Sequence, residues 1–249
     1  MAKTLVVTGA SRGIGAATAI AAAKQGWQVC IHCNSHEDDA LSVLRAVEAA
    51  GGKGIVAKAD AADEEALGAM FARCDRELAP LGGLVNNAGF LGGESDIEAF
   101  DAKAMRRLWD VNVVAYFVCA REAVKRMSTK NGGRGGAIVN VSSMSADSGG
   151  IGPRIHYATT NGARRTFTFG LAKQSGPKGI RVNGVMPGVI DTNFNDSFDN
   201  EGRNARLQPL IPVGRVGVAP DVASTIVWLL SDDAAYVNGA VIPVNGGFF

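Results

Sequence analysis

Short runs of β-branched and aliphatic residues alternate along the chain with longer segments of helical periodicity. The apolar runs are Leu5–Thr8, Val29–His32, Gly54–Ala59, Gly83–Asn86, Ala137–Ser142, Ile180–Met186 and Ala240–Val244. They lack the in/out alternation of a half-exposed strand, which is expected of strands covered on both faces. Between them, Gly15–Lys24, Asp38–Ala50, Glu64–Leu78, Asp101–Met127, Tyr157–Gln174 and Pro220–Leu230 carry apolar positions at helical spacing. This rhythm predicts an α/β, doubly wound, mostly parallel sheet with right-handed crossovers. No repeat or low-complexity linker interrupts it, so residues 1–249 read as a single domain. Asn131–Gly136 and Asn193–Val218 are irregular. The second is too long for an idle connection, and residues 193–218 are expected to include a lid over a substrate site.

Composition narrows the function classes. Of the 249 residues 47% are hydrophobic, enough for a full core, and the formal charge of +1 gives no broad field for nucleic acid or an anionic membrane. No apolar run approaches the roughly 20 residues that span a bilayer. The first strand runs straight into a glycine turn, with no signal-peptide pattern, so a cytoplasmic location is expected. Cys30 and Cys33 have C-x-x-C spacing, but on a strand they face opposite sides and share no metal. With Cys74 and Cys119 they read as buried, inert thiols, and His32, His36 and His156 form no ligand cluster. No metal site is expected.

Candidate chemistry begins at Thr8-Gly9-Ala10-Ser11-Arg12-Gly13-Ile14-Gly15. Glycines between a strand and a helix let a pyrophosphate approach the helix N-terminus, where free N–H groups favour anions; the alternative is a plain turn. Asp60 ends the third strand, as an acceptor for an adenine amino group or as a turn or cap residue. Asn86-Asn87-Ala88-Gly89 ends the fourth and is also compatible with a simple turn. Asn112 lies inside an apolar helix and must be hydrogen-bonded there, either to backbone at a kink or to a water near a ligand. Ser143 follows the fifth strand and Tyr157 opens the next helix, so both reach the crevice where open α/β sheets bind ligands. Together they can polarise and protonate a carbonyl oxygen.

In order and spacing, Thr8–Gly15, Asn86–Gly89, Asn112, Ser143, Tyr157 and Pro187-Gly188-x3-Thr192 resemble the short-chain dehydrogenases/reductases, along essentially the whole chain. The resemblance implies a Rossmann-type fold with a seven-stranded parallel sheet, an NAD or NADP cofactor and a homotetramer. It makes Tyr157 the general acid/base, Ser143 the residue that steadies the substrate oxygen, and Asn112 the holder of a relay water. Cofactor contacts are implied for Gly9, Ser11, Arg12, Gly13, Ile14, Gly15, Asp60, Ala61, Asn87, Ala88, Gly89, Tyr157, Pro187 and Gly188, with Ile190 and Thr192 on the carboxamide.

One departure bears on turnover. The family pattern Tyr-x3-Lys reads here Tyr157-Ala158-Thr159-Thr160-Asn161, which sets Asn161 on the helix face where the lysine ammonium belongs. In the family that lysine holds the ribose hydroxyls and its charge eases ionisation of the tyrosine. A unit charge about 5 Å from a phenol, at an effective dielectric near 20, is worth roughly 3 kcal/mol or about 2 pKa units. Its loss is expected to impair turnover, alcohol oxidation more than ketone reduction, and Asn161→Lys to raise it by orders of magnitude. Lys173 is too far along the helix to substitute, and Arg164 would have to fold back to do so.

No carboxylate follows the second strand, where Cys33, Asn34 and Ser35 stand. Arg12 can pair with a 2′-phosphate, and Asn34 and Ser35 can donate to it, which predicts NADP over NAD; Arg12 as a solvated loop charge is the alternative. The substrate pocket is expected from Phe90, Leu91, Met144, Ser145, Ile151, Ile155, Phe194 and Phe198, with no fixed positive charge. That suits a ketone, aldehyde or secondary alcohol of modest polarity, sugars and 3-oxoacyl thioesters included. The competing function is a catalytically silent dinucleotide-binding sensor or scaffold. The helices at Asp101–Met127 and Tyr157–Gln174 are the family's usual subunit contacts, and Phe248-Phe249 is either buried at such a contact or a frayed tail.

Overall fold

A computed structural model describes residues 2–192, 194 and 200–248. Seven parallel strands form the main sheet: β1 (Lys3–Val7), β2 (Trp27–Cys33), β3 (Gly54–Lys58), β4 (Leu81–Asn86), β5 (Gly136–Val141), β6 (Ile180–Pro187) and, last in the chain, β9 (Val241–Val244). Two short strands, β7 (Ile190–Asp191) and β8 (Gly217–Val218), pair apart from it. The strand order is β3-β2-β1-β4-β5-β6-β9. Winding reverses between β1 and β4, so the strands' carboxyl ends open a crevice there, the place where such sheets bind ligands.

The apolar runs become strands because both faces of the sheet are covered. Leu5, Val7, Val29, Ile31, Val85 and Val139 bury one face with α1 (Gly13–Ala23), α2 (Glu37–Ala49) and α9 (Ala219–Leu230). Val6, Cys30, Leu84, Ile138 and Val182 bury the other under α3 (Glu64–Glu77) and α5 (Ala115–Met127). Cys30 and Cys33 fall on these opposite faces, and all four cysteines are buried and unpaired. Among the described residues no His/Cys/Asp/Glu cluster could hold a metal, and no helix is long and apolar enough to cross a membrane.

The segment expected as one helix over 101–127 is α4 (Ala102–Trp109) and α5 joined by a π turn, Asp110–Val114. Asp101 starts it by accepting from the N–H groups of Lys103 and Ala104 at 2.9 and 3.1 Å. One wide turn leaves the apolar period almost unchanged, so periodicity does not reveal it. It carries Asn112, and π turns are frequent at functional sites. After β5 come a short helix, α6 (Ser145–Ser148), and then the long α7 (Ile155–Ser175). A further helix, α8 (Asn200–Leu207), stands before β8.

Candidate active site

A cleft of about 1120 Å³ runs along the carboxyl ends of the strands. At its centre the glycine turn leaves β1 and enters α1. Gly9 is left-handed at φ +62°, and a Cβ there would lie 2.9 Å from Ala88 Cα. A Cβ on Gly15 would lie 2.4 Å from the Gly9 carbonyl oxygen, so only glycine allows α1 to start this close to β1. Arg12 holds the N-cap position in extended conformation and has no acceptor with which to cap, which leaves the first-turn N–H groups to an anion. Gly9, Ser11, Arg12, Gly13 and Ile14 border the cleft; Gly15 shapes it from behind.

Short-range contacts lock this turn. Thr8 Oγ1 accepts from the N–H groups of Asn87 and Ala88 at 2.9 and 3.0 Å. Asn87 Nδ2 donates to the carbonyls of Thr8 and Gly9 at 3.0 and 2.9 Å. His32, which the motif reading did not single out, closes the other side. Its Nδ1 accepts the Gly9 N–H at 3.0 Å, and its Nε2 lies 3.0 Å from the Ala59 carbonyl. A carbonyl only accepts, so Nε2 carries the proton and the ring is neutral. Burial, offset in part by the Ala59 carbonyl, pushes the His32 pKa down to about 4. The signal for it was a histidine in an apolar strand, whose ring atoms must be satisfied.

Asn34, Ser35, Asp60 and Ala61 border the same cleft as Arg12. Burial raises the Asp60 pKa, but bonds from Arg107 at 2.8 and 2.9 Å and from the Ala62 N–H outweigh it and hold the carboxyl below its usual value. Asn87, Ala88, Gly89, Pro187, Gly188, Ile190 and Thr192 border the cleft as well.

Ser143 and Tyr157 both face the cleft, one after β5 and one in the first turn of α7. Ser143 Oγ accepts the Ser145 N–H at 3.2 Å, which fixes the hydroxyl while leaving its proton available. Of the two readings of Asn112, the structure shows the hydrogen bonds to backbone at an irregular turn. Its Oδ1 accepts from the Phe90 N–H at 3.0 Å, and its Nδ2 donates to the Phe90 carbonyl at 2.9 Å and to Thr160 Oγ1 at 3.2 Å. Its own carbonyl accepts Arg164 Nε at 2.6 Å. The side chain is thus a clamp on the loop beginning at Asn87.

Asn161 requires a correction. It was expected to face the ribose, but it is 0% exposed and is not among the residues that border the cleft. Its Nδ2 donates back to the Tyr157 carbonyl at 2.9 Å, and its Oδ1 accepts Arg164 Nη1 at 3.3 Å. An amide satisfied within its own helix has no reason to reach outward. Arg164, which would have to fold back to substitute for a lysine, does border the cleft. Helical side chains lean toward the N-terminus, so folding back is the ordinary direction.

Of the residues expected to form a substrate pocket, Phe90, Leu91, Met144, Ser145, Ile151 and Phe194 border the cleft. Ile155 is 53% exposed and outside the cleft, because the first residue of α7 points to solvent. Phe198 lies outside the described residues, as does Asn193 at the start of the expected lid. The absence of fixed charge is also corrected: Arg154, Arg203 and Arg206 border the cleft with Glu94, and Arg154 pairs with Glu94 at 2.6 Å. Arg154 stands just before α7, and Arg203 and Arg206 lie on α8, a short helix within the stretch 193–218 that the sequence pattern presents as irregular. Phe248 borders the cleft half-buried, held by Asn245 at both its N–H and its carbonyl, so it is not frayed; Phe249 is outside the described residues.

Comparison with known proteins agrees along the whole chain. A family model described as enoyl-(acyl carrier protein) reductase matches residues 9–249. The oxidoreductase YgfF of Escherichia coli (strain K12) is 46% identical over 242 residues, covering 97% of this chain and 98% of its own. The L-rhamnose 1-dehydrogenase (NAD(P)(+)) of Azotobacter vinelandii is 40% identical over 99% of this chain and 96% of its own. Among solved structures, a variant of a Serratia marcescens short-chain dehydrogenase/reductase superposes with a TM-score of 0.90 at 34% identity, covering 99% and 97% of the two chains.

Proposed function

The chain is an NAD(P)-dependent oxidoreductase of the short-chain dehydrogenase/reductase family, and on that premise we propose that it uses NADP to interconvert a ketone or aldehyde and its alcohol. The observation that carries this reading is one cleft containing a glycine cradle at the start of α1 together with Ser143 and Tyr157. The steric closeness at Gly9 and Gly15, the uncapped start of α1 and the size of the cleft all fit a dinucleotide.

When bound and reduced, the cofactor supplies the hydride for the carbonyl carbon. Ser143 donates to the carbonyl oxygen and orients it. Tyr157 gives its hydroxyl proton to that oxygen, so ketone, hydride and proton balance to alcohol, and solvent returns the proton to Tyr157. Oxidation runs the same steps backward. Arg12, Asn34 and Ser35 border one part of the cleft with no carboxylate at the end of β2, which supports NADP. The impairment expected from Asn161 takes a narrower form: with its amide turned inward, the ribose loses the hydrogen bonds a lysine would give.

The apolar walls and three arginines suit a carbonyl compound with a polar or anionic tail. The named substrates of relatives, L-rhamnose and 3-oxoacyl-[acyl-carrier-protein], guide the choice of assays. Residues 200–218 act as the substrate cover in this reading, since Gly202, Arg203, Arg206 and Leu207 border the cleft. Val114 and Phe117 on the α4–α5 segment and Phe169 on α7 are exposed apolar side chains, which supports a homotetramer built on those helices. Free, buried thiols suit a cytoplasmic setting.

Steady-state assays test the reading: L-rhamnose and D-glucose with NADP+, and a 3-oxoacyl thioester and simple ketones with NADPH, each repeated with NAD(H). Turnover with a lower KM for the phosphorylated cofactor supports it. A clear NADH preference reverses the cofactor assignment. Tight NADPH binding with no turnover across the panel favours the silent binder.

A further inference from the structure

We propose that Arg164 supplies the positive charge of this active site, from one turn beyond the position where the family carries lysine, with Asn161 as its bracket. The inference rests on the hydride-transfer reading above and concerns how the site handles the charge of that reaction.

Residues 157, 161 and 164 share one face of α7. Leaning toward the N-terminus, the Arg164 side chain brings its guanidinium beneath Asn161 and into the wall of the cleft that Tyr157 also borders. It is 4% exposed and makes four hydrogen bonds. Nε donates to the Asn112 carbonyl at 2.6 Å, Nη1 to the Val141 carbonyl at 3.2 Å and to Asn161 Oδ1 at 3.3 Å, and Nη2 to the Ala88 carbonyl at 3.2 Å. The guanidinium carbon Cζ lies 4.3 Å from the Tyr116 ring centroid. The site is also shaped for this group: a Cβ on Gly89 would lie 2.7 Å from Nη2.

Every one of these hydrogen-bond partners is neutral. The ion pairs of the described residues involve other arginines and lysines. A buried cation held by dipoles alone is costly, and the anion that offsets it has greatest effect where solvent is excluded. That anion forms during turnover, as the oxygen left on Tyr157 after it protonates a ketone, or as the base that begins alcohol oxidation. A guanidinium keeps its charge throughout the working pH range. Asn161 belongs to the same device. Its Oδ1 accepts from Arg164, whereas a lysine there has no acceptor and would add a second cation. Arg164 is accordingly a positioning and charge-supplying residue, held in register by Asn161, and need not touch substrate.

The test uses the full chain, with NADPH as binding probe and the alcohol most active with NADP+ in the panel as kinetic probe. Arg164→Gln and Arg164→Lys are compared for NADPH affinity by fluorescence titration and for the pH profile of kcat in alcohol oxidation. Arg164→Gln is expected to bind NADPH within about 3-fold of the unaltered protein. Its kcat should fall by about 30- to 100-fold at neutral pH, and the rise of the profile should move up by about 1 to 2 pH units. Ketone reduction should lose less, and Arg164→Lys should keep the profile in place. An unchanged profile in Arg164→Gln, or the same upward shift in Arg164→Lys, overturns the proposal. If Arg164→Gln does not fold, Arg164→Lys decides alone: a profile in place supports charge supply, and an upward shift refutes it. Failure of the underlying reading is distinct, because the unaltered protein would then bind NADPH and turn over nothing.

Discussion

Around the glycine turn the cleft is held by main-chain groups and short side chains, whereas beneath Tyr157 it is held by one long charged side chain. Asn87 and His32 bond to the backbone of Thr8 and Gly9, and Thr8 accepts from the backbone of Asn87 and Ala88. Their geometry follows from where β1, β2 and β4 end. Arg164 instead joins α7 to the π turn, to β5 and to the loop after β4 through three hydrogen bonds, with a fourth to Asn161 on its own helix. The first region builds a cradle for a charge that the ligand brings. The second holds a charge of its own in readiness for one that the reaction makes. Preorganised charge of this kind lowers a barrier only where the opposite charge develops.

The largest effect should come from the reacting group itself. Tyr157→Phe is expected to lower kcat by about a thousandfold while leaving NADPH affinity within about 3-fold. A comparable loss of affinity would mean that the two regions are not separable.

Acid should act on the cradle next. The unfolded chain takes a proton on His32 near pH 6.5, and the fold resists it until about pH 4. Between these values the unfolded state binds more protons, so stability falls as pH falls. The contribution, about 3 kcal/mol, is fully present above pH 6.5 and lost as pH approaches 4. Urea unfolding of the unaltered protein and of His32→Gln across this range isolates it. The variant should lack that part of the slope, and identical slopes would remove His32 from the account.

Smallest is the expected change in cofactor selection. Arg12→Gln should weaken NADPH by about 10-fold and leave NADH within about 2-fold, read by fluorescence titration. Equal weakening of both would place Arg12 on the shared diphosphate instead of the 2′-phosphate.

The contrast between the two regions also decides what the sequence reveals. Strands such as Val29–His32 and Ala137–Ser142 were visible because burial on both faces leaves a continuous apolar run, and their observed bounds differ by one or two residues. Gly9 and Gly15 were visible because only one residue type fits such close approaches. The π turn at Asp110–Val114 was hidden, since one widened turn barely disturbs a helical period. Arg164 was misjudged for a different reason. Sequence spacing places its Cα one turn too far, and only the rotamer, set by carbonyls from three other segments, brings the charge back. The arginines at 154, 203 and 206 were missed because Arg154 precedes a helix and α8, which carries the other two, is too short and polar to show an apolar period.

The most direct test of where the charge resides is a double-mutant cycle on kcat for alcohol oxidation with Asn161→Lys, Arg164→Gln and the pair. Arg164→Gln alone should lose about 30- to 100-fold, and Asn161→Lys alone should gain little, because two cations then share one buried site. Together they should recover to within about 5-fold of the unaltered protein. A gain of orders of magnitude from Asn161→Lys with Arg164 in place, or strict additivity across the cycle, would contradict the account.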